Sequence, residues 1–326
     1  MTELLKRLML APSVSGREDK VRNIIRKEVE PYADEIRVDP MGNLIVRKKG
    51  NGKKILFAAH MDEIGYFVTF IDEKGLIRVG NVGGINPLSS CYDEVVSEKG
   101  VYGVIAPSSN KEMPKCEELS IDIGAKTKKQ AESKVEIGDF FVHSPRLKRL
   151  QGNRYIGRPF DDRVGCAVLI EALKNIKTTD NDLYFVFTVQ EEVGSRGAKP
   201  AAYGIEPDIG IAVDVTIAKD KPATISASTV KLGGGVAIKV KDSSVICSYG
   251  LVEDLRKLCE DGKIKYQDEI ILAGGTDTSV IQVAKTGCQA GALSIPTAYI
   301  HTVNEMIDIS DVREAVKLTV AIAERI

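Results

Sequence analysis

ILFAAHMDEIG, residues 55–65, is the stretch on which the architecture turns. From Ile55 to Ala59 it is apolar without alternation, so a strand built from it must be covered on both faces, as in the middle of a sheet packed between helices. His60 stands at the carboxyl end of that strand, with Asp62 two residues on. Ligands in such sheets collect beyond the carboxyl ends of the strands. The other apolar runs end in the same way. DLYFVFTVQ (182–190) runs into Glu191 and Glu192, DIGIAVDV (208–215) carries Asp214, and AYIHTV places His301 just past another strand. GRPFDDRVG adds Asp161, next to Asp162 and ahead of a helix.

Working outward, residues 2–10 predict a short helix, and Ser15-Gly-Arg-Glu18 has the spacing of a capping box opening the next one. Strands are expected around 35–39 and 43–48. From about residue 64 the texture changes. YFVTFIDEKGLIRVG and EVVSEKGVYGVIAP read as hairpins, and LSIDIGA, a short KTKKQAESK helix and IGDFFVHS follow. These short strands predict a small β-barrel-like domain inserted over 64–158. A catalytic domain over 1–63 and 159–326 then has His60 and Asp161 as neighbours. After Asp161, strands alternate again with helices. The fold class expected is α/β, with a mixed, mostly parallel sheet covered by helices on both faces.

With 326 residues, 43% of them hydrophobic, the chain has enough apolar surface for such a core. The balance of 45 Lys and Arg against 46 Asp and Glu favours neither nucleic acid nor an anionic membrane. No run is long and apolar enough to span a bilayer, and the N-terminus lacks the core of a signal peptide. The six cysteines show no paired spacing, so reduced thiols and a cytoplasmic location are expected.

Two of the three histidines fall among the strand-end residues, and with three carboxylates they form the donor set of a two-metal hydrolytic centre. Each residue also has a plainer reading. His60 would be a core histidine, but Asp62 lies on the same face of an extended chain and can fix its tautomer. Either aspartate of the 161–162 pair would serve as a helix cap; Asp161 is taken as the shared ligand. Glu191 and Glu192 would repel each other beside a buried strand unless a cation offset them. An unpaired Asp214 within IGIAVDV would be costly. His143 lies in the insert with no acidic neighbour in sequence and is read as structural. LGGGVAIK lacks the spacing of a phosphate loop, and AGGTDTS (273–279) is either a pocket wall or a tight turn.

In order, AHMDEIG, FDDRVG, QEEVGSRGA, VDV, GGTD and SIPTAYIH resemble the tetrahedral (TET) aminopeptidases of metallopeptidase family 42, and NVGGINP and SIDIGA extend the likeness into the insert. The insertion falls before Asp161, whereas sister family 20 carries its extra domain after the double glutamate. The resemblance implies two divalent ions, Zn or Co, with His60 and Asp214 on one, Glu192 and His301 on the other, and Asp161 bridging. Glu191 is then the general base. It also implies short peptide substrates, dimerisation through the insert and a hollow tetrahedral dodecamer. This chain departs from common family patterns with Thr302-Val303 after His301 and Arg158-Pro159 before the aspartate pair. A glycosidase and a non-catalytic peptide binder are the competing readings; sugar hydrolysis needs two opposed carboxylates but not two histidines as well.

Overall fold

Along the strand Lys54–His60, Ile55, Phe57 and Ala59 join one hydrophobic cluster while Leu56 and Ala58 join another. Its side chains therefore feed two cores, one on each face, as its composition demands. The computed structural model describes residues 1–108, 114–219 and 228–326. Among these, 11 strands form one mixed sheet. Its centre is parallel, with Asp182–Thr188, Lys54–His60, Ile209–Ile217 and Gln289–Ala298 side by side in that order. Outward from the first of these, Leu44–Lys48 and Glu35–Val38 pair antiparallel. Outward from the last, Glu305–Asp308, Arg154–Arg158 and Arg146–Arg149 do the same. The parallel character is thus confined mainly to the strands that lead into the site. Short turns, not helical crossovers, join most of the outer strands, and those connections permit only antiparallel neighbours.

Helices Thr2–Met9, Asp19–Val29, Arg163–Asn175, Tyr249–Gly262 and Ile309–Arg325 pack on one face, and Ala198–Ile205 and Thr278–Gln282 on the other. Phe57 and Phe185 stack at 5.2 Å in the larger core, both fully buried. Truncating either to alanine would cost about 3–5 kcal/mol, from lost transfer energy and the cavity left behind.

The inserted segment forms a closed barrel of Gly65–Ile71, Ile77–Val82, Leu119–Asp122, Tyr102–Pro107, Glu94–Ser97 and Phe140–His143, antiparallel throughout. Closure removes the free edges that such short strands would otherwise expose. Tyr66, Val68, Val79, Ile105, Ile121 and Phe141 fill it. The barrel ends at His143, because Arg146–Arg149 and Arg154–Arg158 bond into the large sheet. The last two strands of the segment expected as the insert, 64–158, thus pair outside the barrel.

The capping box expected at Ser15 does not form. Helix Asp19–Val29 starts after Glu18 without a side-chain cap, and the Ser15 hydroxyl donates instead to the buried Asp62 carboxylate at 2.6 Å. A bond donated to a buried carboxylate is charge-assisted and about twice as strong as one between neutral groups. His143 does have an acidic partner: its Nδ1 lies 2.8 Å from Asp93, which Arg146 also holds. Burial pushes its pKa down, in keeping with a neutral structural histidine.

Candidate functional site

The carboxyl ends of the parallel strands converge on one acidic cluster. His60 closes Lys54–His60, Asp214 lies within Ile209–Ile217, and Glu191 and Glu192 follow Asp182–Thr188. His301 comes just after Gln289–Ala298, in the left-handed backbone region at φ +60°. His60 Nε2 lies 3.0 Å from Asp161 Oδ1 and 3.8 Å from Asp214 Oδ1. His301 Nε2 lies 3.2 Å from Asp161 Oδ2 and 3.1 Å from Glu192 Oε1. The result is two triads, His60–Asp161–Asp214 and Asp161–Glu192–His301, each with donor atoms within 4.8 Å of one another. Asp161 belongs to both, one oxygen to each side. Glu191 belongs to neither; its Oε2 is 3.9 Å from His60 Nε2.

The surrounding residues explain why these side chains point as they do. The adjacent aspartates divide their labour. Asp162 caps helix Arg163–Asn175 by accepting from the Gly165 N–H at 2.9 Å, and it also accepts from the His60 N–H, which leaves Asp161 free to face the triads. Gly165 is required there, since a Cβ would lie 2.4 Å from the Asp162 carboxylate. Asp62 does more than orient His60. The His60 Nδ1 sits nearer the Asp62 backbone oxygen, at 3.1 Å, than its carboxylate, at 3.5 Å. That carboxylate instead accepts from the Ser15 hydroxyl and from the Glu191 and Glu192 N–H groups, so it anchors the double-glutamate turn.

Electrostatically the cluster calls for positive charge. Burial raises the Asp214 pKa to about 7, with Asp161 adding to the rise. Burial also drives Glu191 well above the ordinary range, and Asp214, Asp277 and Glu192 reinforce it. Burial lowers the pKa of His301, yet Glu192 and Asp161 carry it up to about 11. Burial likewise opposes ionisation of Asp161, but His301 and His60 hold its pKa well below the usual carboxylate range. Glu192 Oε1 is buried and lacks a hydrogen-bond partner although His301 is close. Two imidazoles and three carboxylates, one of them with an unpartnered oxygen, are a donor set that fits borderline divalent metal ions.

The cluster opens into a cavity of about 910 Å³. Its walls include Ala273, Gly274, Gly275 and Thr276, so AGGTDTS lines the pocket as well as turning the chain. They also include Gly84 and Asn86 of the barrel. Gly84 approaches so closely that a Cβ there would lie 3.3 Å from His301 Nδ1. Sequence reasoning missed this contribution, and NVGGINP, with its paired glycines, was the available signal. It also missed Glu305, whose carboxylate accepts from the N–H groups of Phe160 (2.6 Å), Asp161 (3.2 Å) and His301 (3.2 Å) and lies 3.5 Å from Arg158. No local pattern marks that residue.

A barrel-bearing α/β sheet with acidic histidine triads at its carboxyl edge defines a metallopeptidase fold. The sequence profile of the M42 glutamyl aminopeptidase family matches residues 42–318. The chain is 32% identical to a lysyl aminopeptidase of Pyrococcus furiosus, over 99% of this chain and 97% of that protein. Among solved structures, an aminopeptidase of the archaeon Desulfurococcus kamchatkensis is 38% identical with a TM-score of 0.96, over 99% of this chain and 94% of the other. The TET1 peptidase of Pyrococcus horikoshii, which assembles into a tetrahedron or a large octahedral shell, is 34% identical with a TM-score of 0.91, over 100% and 99%. The chain belongs to the M42 aminopeptidase family, whose members are metal-dependent peptide hydrolases.

Proposed function

We propose that this M42 aminopeptidase releases N-terminal residues from short peptides, using two divalent cations, Zn or Co, and Glu191 as general base. The observation that carries the reading is the sharing of Asp161 between two triads while Glu191, its carboxylate 3.9 Å from His60, stays outside both. His60, Asp161 and Asp214 would hold one ion, and Asp161, Glu192 and His301 the other. When bound, such ions acidify a water and polarise the scissile carbonyl. Glu191 takes the proton of the attacking water and later delivers it to the departing amine, a task suited to a carboxylate whose pKa burial has raised. Asp62 is a positioning residue, fixing Glu191 and Glu192 through their backbone N–H groups. The cavity suits a short peptide end, not a folded protein.

Exposed Phe70, Leu88, Tyr92, Tyr102 and Val104 on the insert support its use as a dimer contact, and TET relatives support a tetrahedral dodecamer. Among the described residues no helix is long and apolar enough to cross a membrane, and a cytoplasmic site of action is proposed. The test is Glu191→Gln, assayed for bound metal and for cleavage of aminoacyl p-nitroanilides. Metal contents matching the parent and turnover reduced at least a hundredfold are expected; an active variant refutes the base assignment. Cleavage of soluble cellulose by the parent would favour the glycosidase reading, and chelator-insensitive turnover would rule out the metal.

A further inference from the structure

Away from the triads, the cavity wall runs over Val215, Thr216, Ile217, Ile271 and Ala273 to a single charged group, Lys239. Its side chain is almost wholly buried. The ammonium lies 2.5 Å from Glu269 Oε1 and 3.2 Å from Asp242 Oδ2, and both of these acids are buried more deeply than the wall itself. Thr216, which also faces the cavity, donates to the same Glu269 oxygen at 2.8 Å. Asp242 is held by the N–H groups of Ser244 and Val245 and by the Ser244 hydroxyl. The cluster thus sets two carboxylates behind one lysine, and only the lysine reaches the cavity.

We propose that Lys239, backed by Glu269 and Asp242, forms a floor whose one ammonium is offset by two carboxylates behind it, so that the enzyme selects neutral, mainly apolar N-terminal side chains, with Glu269 as a specificity-determining residue. The inference rests on the aminopeptidase reading of the site and adds the substrate class. An acidic side chain reaching the floor would sit about 3 Å from the ammonium and about 5.5 Å from each carboxylate, so one attraction and two repulsions nearly cancel. Its desolvation then goes uncompensated. A basic side chain meets an ammonium with donor facing donor, and with every sign reversed the one repulsion and two attractions again nearly cancel, so its desolvation is uncompensated too. Val215, Ile217, Ile271 and Ala273 reward an apolar side chain directly.

The experiment compares kcat/KM for leucyl, glutamyl and lysyl p-nitroanilides on the metal-loaded parent and on Glu269→Gln. The parent should prefer leucine over both charged residues by about tenfold or more, and Glu269→Gln, by removing one repulsive charge, should raise the glutamyl-to-leucyl ratio about tenfold without raising the lysyl ratio. A parent that prefers glutamate or lysine overturns the inference, as does an unmoved ratio in a folded Glu269→Gln. If that variant does not fold, Asp242→Asn removes the other carboxylate and is judged by the same ratio. Failure of the parent on all three substrates would overturn the peptidase reading itself, whereas cleavage with a charged preference overturns only this inference.

Discussion

Glu305→Gln probes the hidden brace of the site. One carboxylate oxygen accepts from the Phe160 and Asp161 N–H groups, and the other accepts from the His301 N–H beside the Arg158 guanidinium. Glutamine has the same shape but a single acceptor oxygen. Its amide nitrogen must therefore face one pair of donors. The shorter bonds, at 2.6 and 3.2 Å, belong to the Phe160–Asp161 side, so the oxygen stays there and the nitrogen turns towards His301 and Arg158. One charge-assisted bond worth about 1.5–3 kcal/mol is lost. Arg158, fully buried, also loses its counter-charge, at up to about 3–5 kcal/mol, although it retains the Thr302 carbonyl. A net loss of about 3–5 kcal/mol is expected in urea unfolding of the chelated protein. Calorimetric metal titration should show the ion expected on Asp161–Glu192–His301 weakened at least tenfold and the other ion much less. A stability loss below about 1 kcal/mol, or equal weakening of both ions, would refute the reasoning.

Glu18 has an ordinary pKa of 4.5, raised by burial and by nearby Asp62 to about 7, so the folded chain holds a proton there that the unfolded chain releases. Its contribution to stability is complete below about pH 4.5 and is lost as pH rises to about 7, at up to about 1.4 kcal/mol per unit. Glu18→Gln keeps both N–H bonds, which go to one oxygen, so it should match the parent near pH 5 and exceed it near pH 8 in denaturant titrations. Parallel stability curves would contradict this. Stripping metal with a chelator should lower the melting temperature reversibly, since each ion present at a hundred times its Kd contributes about 2.7 kcal/mol; an unchanged melting curve would count against a bound pair. Gly84→Ala should raise KM for peptides by crowding His301 at 3.3 Å while the barrel stays folded, and unaltered kinetics would mean the barrel loop does not wall the site.

Much of the site was readable along the chain. His60, Glu191, Glu192, Asp214 and His301 follow apolar runs, and a charged residue at the end of a fully buried strand is expensive enough to need a reason. The strands and most helices were readable as well, because burial on both faces leaves a continuous apolar run, and burial on one face imposes a period of two or 3.6 on the residues themselves. The insert's outline showed in its hairpins. The pairing of Arg146–Arg149 and Arg154–Arg158 did not, since they have the composition of any short strand and only the fold assigns them to the large sheet.

Partner choice among buried polar groups lay beyond the sequence. Ser15 and Glu18 have the spacing of a capping box, yet Asp62, 47 residues from Ser15, takes the hydroxyl. Glu305 sits 144 residues from the Asp161 N–H it accepts, and Lys239 meets Glu269 across two strands. From its own residues the chain determined which segments become strands and which donor types stand at their ends, because secondary structure answers to local periodicity and to the cost of burying charge. The tertiary fold decided which oxygen faces which nitrogen, since a buried carboxylate pairs with whatever donor the packing of distant segments brings within about 3 Å.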